Sequence, residues 1–202
     1  MMTKTVIIGT NHAGIAAANT LLDNYPDQEV VMIDRNSNLS YLGCGTALWV
    51  GRQVNDYHGL FYTKVEDFTN KGAKITLEAE VKDIDFDKKV VHYIKKDGTE
   101  LTEDYDKLIL ATGSLPISPN VAGKDLNGIH FLKLFQDGQD VDKEISAEEV
   151  KNVAVIGAGY IGVEIAEAAK RRGKNVLLFD AADRSLSTHY DKAFTDLMDK
   201  NL

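Results

Sequence analysis

Hydrophobic and polar positions change period several times along the chain. Val6-Ile7-Ile8, Val30-Val31-Met32-Ile33, Leu108-Ile109-Leu110, Val153-Ala154-Val155-Ile156 and Val176-Leu177-Leu178-Phe179 are continuous apolar runs. Such runs mark strands buried on both faces, as in a parallel sheet. Helices are predicted over 15–22, with small residues on one face and a stop at Asn24-Tyr25-Pro26-Asp27, and over 163–172, stopped by Gly173. A shorter helix over 65–72 closes on Gly72, and a last one covers 190–200. Between them the period drops to two. Strands are expected at 73–77, 81–86, 89–95 and 100–103, with Asp97-Gly98 as a hairpin turn. This stretch reads as an antiparallel meander inserted in a parallel α/β frame.

The ends of the apolar runs carry the first chemistry. Val6-Ile7-Ile8 runs into Gly9-Thr10-Asn11-His12-Ala13-Gly14, and the next strand ends at Asp34. This is the βαβ dinucleotide fingerprint with its middle glycine replaced by Asn11. Gly9 makes the tight turn, the helix start around His12 to Gly14 faces a pyrophosphate, and Asp34 accepts from ribose hydroxyls. The pattern returns complete as Gly157-Ala158-Gly159-Tyr160-Ile161-Gly162, followed by a helix and a strand that ends at Asp180. An acid there repels a 2′-phosphate and favours NAD over NADP. Two such units form an internal repeat, most economically one flavin and one nicotinamide dinucleotide placed for hydride transfer. The fold class is therefore α/β: two Rossmann-like three-layer dinucleotide-binding units with an antiparallel β meander inserted in the first. The prolines at 116 and 119 make 114–123 the linker, and the expected domains are 1–118 and 119–202. The Ala111-Thr112-Gly113-Ser114 exit lets backbone approach a ligand closely.

One thiol stands out against this frame. Cys44, in Ser40-Tyr41-Leu42-Gly43-Cys44-Gly45, is the only cysteine, placed where a loop enters a short apolar helix. That setting favours the thiolate, whereas a free cysteine is also often a small buried core residue. His12 admits two readings as well: a partner that stabilises the thiolate or moves a proton, or a residue that only satisfies the turn.

Composition narrows the partners. The 202 residues carry a formal charge of −8, with 44% hydrophobic and 27% charged residues, as in an ordinary globular protein. The acidic balance argues against nucleic acid and anionic membrane surfaces. One cysteine excludes an internal disulfide and points to a reducing compartment. With no charged leader and no spanning apolar run, the expected location is cytoplasmic.

Taken jointly, the motifs at Gly9–Gly14, Ser40–Gly45, Ala111–Gly113 and Gly157–Glu164 resemble the single-cysteine NADH oxidase and NADH peroxidase family of pyridine nucleotide–disulfide oxidoreductases. Thr46-Ala47-Leu48-Trp49-Val50-Gly51 resembles the water-forming oxidases more than the peroxidases. The resemblance implies FAD on the first unit, with pyrophosphate at Gly9 to Ala13, ribose at Asp34, adenine near Val81, the flavin side near Ala111 to Ser114, and Lys133 close to FAD. It implies NADH on the second unit, contacting Ile161, Asp180 and Tyr190. Tyr160 lies over the flavin until nicotinamide displaces it, and Glu164 sits near the reacting ring atoms. Cys44 cycles between thiolate and sulfenic acid with His12 beside it, while NADH and dioxygen are consumed and water forms.

Members of that family are about twice this length. They add a second flavin segment and a dimerisation domain, and the full-length proteins are homo-oligomers. The resemblance also leaves an NADH peroxidase or a coenzyme A disulfide reductase open, and, outside enzymes, a nucleotide-binding fragment or redox sensor. Disulfide reductases of the superfamily carry a second cysteine a few residues from the first, which this chain lacks.

Overall fold

A computed structural model describes residues 2–201. The chain divides into two compact units. One comprises the residues up to Tyr41 with Phe61–Ser114, and the other Leu42–Leu60 with the residues from Leu115 on.

The first unit is built on a four-stranded parallel sheet of β1 (Thr3–Ile8), β2 (Gln28–Ile33), β3 (Lys74–Thr76) and β7 (Lys107–Leu110), in the order β3-β2-β1-β7. Successive side chains of a strand point to opposite faces, so the apolar runs feed two cores. Val6, Ile8, Val31 and Ile33 pack with Ala79, Val91, Tyr93 and Tyr105 on one face. Ile7, Val30 and Met32 pack on the other with Ile15 and Ala18 of α1 (His12–Asn24) and Phe68 of α3 (Val65–Thr69). Each such side chain stabilises the fold by about 1.5–3 kcal/mol when fully buried. The first core is roofed by an antiparallel sheet of β4 (Ala79–Asp85), β5 (Val90–Lys95) and β6 (Glu100–Asp104). The layers are thus helix, parallel sheet and meander. The Asp97-Gly98 turn forms as expected, with Gly98 at φ 86°.

The expected opening strand of the meander lies elsewhere. Residues 74–76 pair in parallel with β2, Val31 opposite Lys74 and Ile33 opposite Thr76. Alternation alone does not separate a parallel edge strand from an antiparallel one. Here Gly72, at φ 95°, returns the chain from α3 to the sheet edge, and Ile75 and Leu77 face the helix-side core. Glu78, at φ 52°, then redirects the chain into the meander, and the Ala79 N–H donates to the Asp34 carbonyl at 2.8 Å.

The second unit holds a parallel pair, β8 (Asn152–Ile156) and β9 (Asn175–Phe179), joined by α5 (Tyr160–Arg171). The cysteine stretch forms a 3₁₀ turn, Gly43–Gly45, leading into α2 (Thr46–Val50). With five residues α2 is too short to hold itself, and it is fixed by its neighbours. A Cβ on Gly51 would press within 3.2 Å of Ala168 on α5. Arg172 donates to the Val50 carbonyl at 3.0 Å, and to Asp142 and Ser146 of α4 (Phe135–Ser146) at 3.1 and 2.9 Å. Arg52 joins the same Asp142 at 2.8 Å. The last helix, α6 (Lys192–Asp199), is shorter than the 190–200 expected. Among the described residues no helix is long and apolar enough to cross a membrane.

Candidate functional site

Each unit carries a glycine turn between a parallel strand and a helix, and the two turns repeat bond for bond. Gly9 sits at φ 108° and Gly157 at φ 107°, where only glycine is unstrained. The Gly9 N–H donates to the Ile33 carbonyl at 2.8 Å, and the Gly157 N–H to the Phe179 carbonyl at 2.7 Å. A Cβ on Gly14 would overlap the Gly9 carbonyl oxygen, and one on Gly162 would overlap that of Gly157. A Cβ on Gly9 would collide with the Ala111 carbonyl, so the strand exit at Ala111 lies against the first turn.

The acids close both turns. Asp34 Oδ2 accepts from the Thr10 N–H at 2.6 Å, and Asp180 Oδ2 from the Ala158 N–H at 2.6 Å. The other oxygen of each accepts from the N–H two residues on, Asn36 at 2.8 Å and Ala182 at 2.7 Å. The acids differ in what is left over. Asp34 is buried and also accepts from the Thr10 hydroxyl at 2.9 Å and the Asn36 carboxamide at 2.9 Å. Asp180 is exposed and keeps acceptor directions open. The Ala182 and Ala158 N–H groups hold its carboxyl below the ordinary 3.8.

Both helices begin without a side-chain cap and without an acid in the first turn. Their first N–H groups therefore present an uncompensated positive end, which suits a phosphate. Both helices also start earlier than their apolar pattern, at His12 and Tyr160, because the turn residues themselves form the first helical turn. The residues present fit a dinucleotide pyrophosphate at each turn.

The other expected residues are distributed over both units. In the first unit, Val81 lies at a β-bulge of β4, half-buried against the meander-side core. Thr112, Gly113 and Ser114 continue from Ala111 as exposed backbone, with Gly113 at φ 63°. Asn11 is the exposed N-cap of α1, and Ala13 lies in its first turn. In the second unit, Ile161 and Glu164 are exposed at the start of α5. Tyr190 hydrogen-bonds to Tyr160 at 2.9 Å. Lys133 is also in this unit, exposed, its backbone N–H bound to Asp137 at 2.8 Å.

Cys44 is exposed, which sets aside the buried-core reading. Its neighbours fix it: the Gly45 N–H donates to the Leu42 carbonyl at 2.9 Å, and the Thr46 hydroxyl donates to the Gly43 carbonyl at 2.7 Å. A Cβ on Gly45 would press on the tip of Leu60, which would have to shift to admit it. His12, in the first unit, stands with its ring plane within 6° of Tyr62 and its Nδ1 3.1 Å from the Tyr62 hydroxyl. Burial pushes the Tyr62 phenol up, so it stays protonated and holds the imidazole in one orientation.

Sequence reasoning missed Tyr62, Asn36 and above all Ser40. Ser40 is fully buried with φ 62°. Its N–H donates to the Thr10 carbonyl at 3.0 Å, and its hydroxyl donates to the Thr63 carbonyl at 2.9 Å. It thus ties the first turn to the segment that carries Tyr62. Only the Asp34-x-Asn36 spacing gave a local signal, that of a side-chain turn.

Known proteins share this arrangement. The sequence profile of the pyridine nucleotide-disulphide oxidoreductases matches residues 3–202. A protein named NADH oxidase from Lactococcus lactis subsp. cremoris is 65% identical over 199 residues, covering 98% of this chain and 45% of that protein. One of the same name from Streptococcus pyogenes is 46% identical over 213 residues, covering 100% and 46%. Among solved structures, a water-forming NADH oxidase from Lactobacillus brevis bound to NADH superposes with a TM-score of 0.94 at 37% identity, over 98% of this chain and 44% of that one. The chain thus spans about half the length of the curated relatives it matches. A profile match that runs through both glycine turns, both acids and the cysteine segment shows that the chain belongs to the pyridine nucleotide-disulphide oxidoreductase family.

Proposed function

We propose that these residues serve a flavoprotein NADH oxidase that reduces dioxygen to water through FAD and a Cys44 thiol/sulfenic acid centre. The observation that carries the reading is the bond-for-bond repeat of the two turns, which provides for two dinucleotides in one chain. The relatives' names and the NADH held by the Lactobacillus brevis enzyme support oxidase chemistry. The relatives are about twice as long, so the activity is proposed for a protein that includes the second half of such a chain.

On this reading the first turn binds FAD. The N–H groups of residues 11–14 would hold its pyrophosphate, the Asp34 end of β2 would meet its ribose, Val81 its adenine, and Ala111 to Ser114 its flavin side. The second turn binds NADH. Its pyrophosphate meets α5 at Gly159 to Gly162, and the open oxygens of Asp180 accept from the ribose and repel a 2′-phosphate. Glu164 would sit near the reacting ring atoms, and Tyr160 would give way to the nicotinamide. When bound, FAD supplies two-electron transfer from NADH to dioxygen, which yields hydrogen peroxide.

The chain's own chemistry is at sulfur. The Cys44 thiolate attacks one peroxide oxygen, the O–O bond breaks, and the products are Cys44 sulfenate and water. The proton that this step moves passes from the attacked oxygen to the departing one, which leaves as water. A second NADH returns two electrons, and with protons from solvent the sulfenic acid becomes thiol and water. These 202 residues hold no second thiol to resolve Cys44, so within them the sulfur is carried no further than the sulfenic level. The lack of a second cysteine a few residues from Cys44 disfavours the two-cysteine disulfide reductases and leaves an NADH peroxidase or a coenzyme A disulfide reductase as the alternatives.

The test is visible absorbance of the purified chain with FAD, before and after NADH under nitrogen. A bound flavin band that bleaches on NADH supports the assignment of the two turns. A retained flavin that NADH does not bleach overturns it. In the longer protein, Cys44→Ser is expected to release hydrogen peroxide instead of water, and unchanged water formation would remove Cys44 from the chemistry.

A further inference from the structure

The two turns share one more bond, and its donor lies outside the glycine motif. The residue six positions after each acid is buried and sits at positive φ: Ser40 at φ 62°, after Asp34, and Leu186 at φ 51°, after Asp180. Each donates its N–H to the carbonyl of the residue after the turn's first glycine. Ser40 reaches the Thr10 carbonyl at 3.0 Å, and Leu186 the Ala158 carbonyl at 2.8 Å. Neither donor is a glycine, and a left-handed conformation in such a residue persists only where its surroundings hold it. A serine hydroxyl does the holding in both units. The Ser40 hydroxyl donates to the Thr63 carbonyl at 2.9 Å. Ser185, buried beside Leu186, gives both its N–H and its hydroxyl to one oxygen of Asp199 on α6, the N–H at 3.2 Å.

This bond acts on the peptide that carries the Gly159 N–H. Ala158 is held twice. Asp180 takes its N–H at 2.6 Å, which fixes the peptide before it, and Leu186 takes its carbonyl, which fixes the peptide after it. That second peptide is trans, so its N–H, on Gly159, points away from Leu186. A Cβ on Gly159 would meet nothing within 4 Å, so the space beside it is open to a ligand. Without the Leu186 bond the second peptide is free to turn about the backbone of Ala158. We propose that Asp199, acting through Ser185 and Leu186, is a positioning residue of the second turn: it sets the direction in which the Gly159 N–H meets the pyrophosphate of a nicotinamide dinucleotide. The inference rests on the reading that this turn takes NADH, and it adds a residue of α6 that the expected contacts leave out. A donor held in place before the ligand arrives binds more tightly than one that must first be ordered.

The test is fluorescence titration of the 202-residue chain with NADH, as wild type, Asp199→Ala and Asp199→Asn. Both substitutions remove the same negative charge, but the carboxamide oxygen of asparagine still accepts from Ser185. The difference between them therefore reads the hydrogen bonds and not the charge. Asp199→Ala is expected to weaken NADH binding roughly threefold to tenfold, the usual worth of one hydrogen bond, and Asp199→Asn to stay within about twofold of wild type. A merely structural role would leave the affinity of the folded chain unchanged. Saturable binding with any other pattern, including equal weakening in both variants, overturns the positioning role and leaves the nucleotide reading standing. No saturable binding in any of the three overturns the reading and the positioning role with it.

A second measurement needs no nucleotide. Amide hydrogen exchange is expected to find the Leu186 N–H protected in wild type and in Asp199→Asn, and released in Asp199→Ala. A Leu186 N–H that exchanges at the unprotected rate in wild type removes the bond to Ala158, and the positioning role with it. Ser185→Ala removes only the hydroxyl and takes the place of Asp199→Ala in both measurements if that variant does not fold; its expected loss has the same sign and is smaller.

Discussion

At the scale of single residues, the turns leave little freedom. Gly14 and Gly162 have no room for a methyl group, because each lies on the carbonyl of the glycine five residues before it. Gly14→Ala and Gly162→Ala are each expected to cost about 1–3 kcal/mol in urea unfolding, as for overpacking against rigid backbone. Gly59→Ala, with nothing within 4 Å, is the control and is expected to stay within about 0.5 kcal/mol. Asp180 gives a pH signature. Its carboxyl is held down by the Ala182 and Ala158 N–H groups, so these bonds persist above the ordinary 3.8 and are lost as pH falls through the lower folded value. The Ala158 and Ala182 amide resonances are expected to shift together, with a midpoint below 3.8; a midpoint at or above it contradicts the assignment. Ser40 is the residue whose role no spacing announces. Its positive φ and its bonds to Thr10 and Thr63 exist only once three distant segments have met. Ser40→Ala keeps the strain and loses the hydroxyl bonds, for an expected loss of about 1–3 kcal/mol.

At the scale of elements, legibility follows locality. A glycine turn and an acid at the end of the next strand are set by a few consecutive residues, so both turns were readable, including the degraded one with Asn11. The hairpin at Asp97-Gly98 was readable for the same reason. The pairing of β3 was not, because period two is shared by both strand directions and only the bends at Gly72 and Glu78 decide. Nor was the anchoring of α2, which depends on residues about 90 and 120 positions away. There Asp142 receives both Arg172 and Arg52, while the two guanidiniums take the last carbonyls of α2, Val50 and Trp49. Asp142 and Arg172 are each only 17% exposed, and Arg52 is 40% exposed. Asp142→Ala is therefore expected to cost about 2–4 kcal/mol, since it leaves a largely buried guanidinium unpaired. Arg52→Ala is expected to cost less than about 1 kcal/mol. Hydrogen exchange of residues 47–51 reads the local effect. Equal losses in the two variants would show that the clamp does not centre on Asp142.

At the scale of the whole molecule, the second unit presents apolar surface that its own elements do not cover. β8 and β9 point Ala154, Ile156, Leu177 and Phe179 to one face, Ile156 directly opposite Phe179 and Ala154 opposite Leu177. Ile156 is 89% exposed, and Leu177 and Phe179 are each more than half exposed. The other face of the same two strands is packed under α5, so the alternation that serves burial on one side creates a contiguous apolar patch on the other. A formal charge of −8 disperses over the surface and does not mask such a patch. The relatives, about twice as long, have further polypeptide with which a face like this can be covered. The 202-residue chain on its own is therefore expected to bind a hydrophobic dye such as anilinonaphthalene sulfonate while folded, and to associate as its concentration rises. Replacing Ile156 and Phe179 together by Thr keeps β-branched or β-compatible side chains in the strands and removes most of the exposed apolar area. That double variant is expected to lose most of the dye signal and the association, with its melting temperature little changed because neither side chain is buried. A dye signal that survives the double substitution would place the sticky surface elsewhere. The first alternative is the exposed segment of Leu115, Ile117, Val121, Leu126 and Ile129, which the same substitutions leave intact.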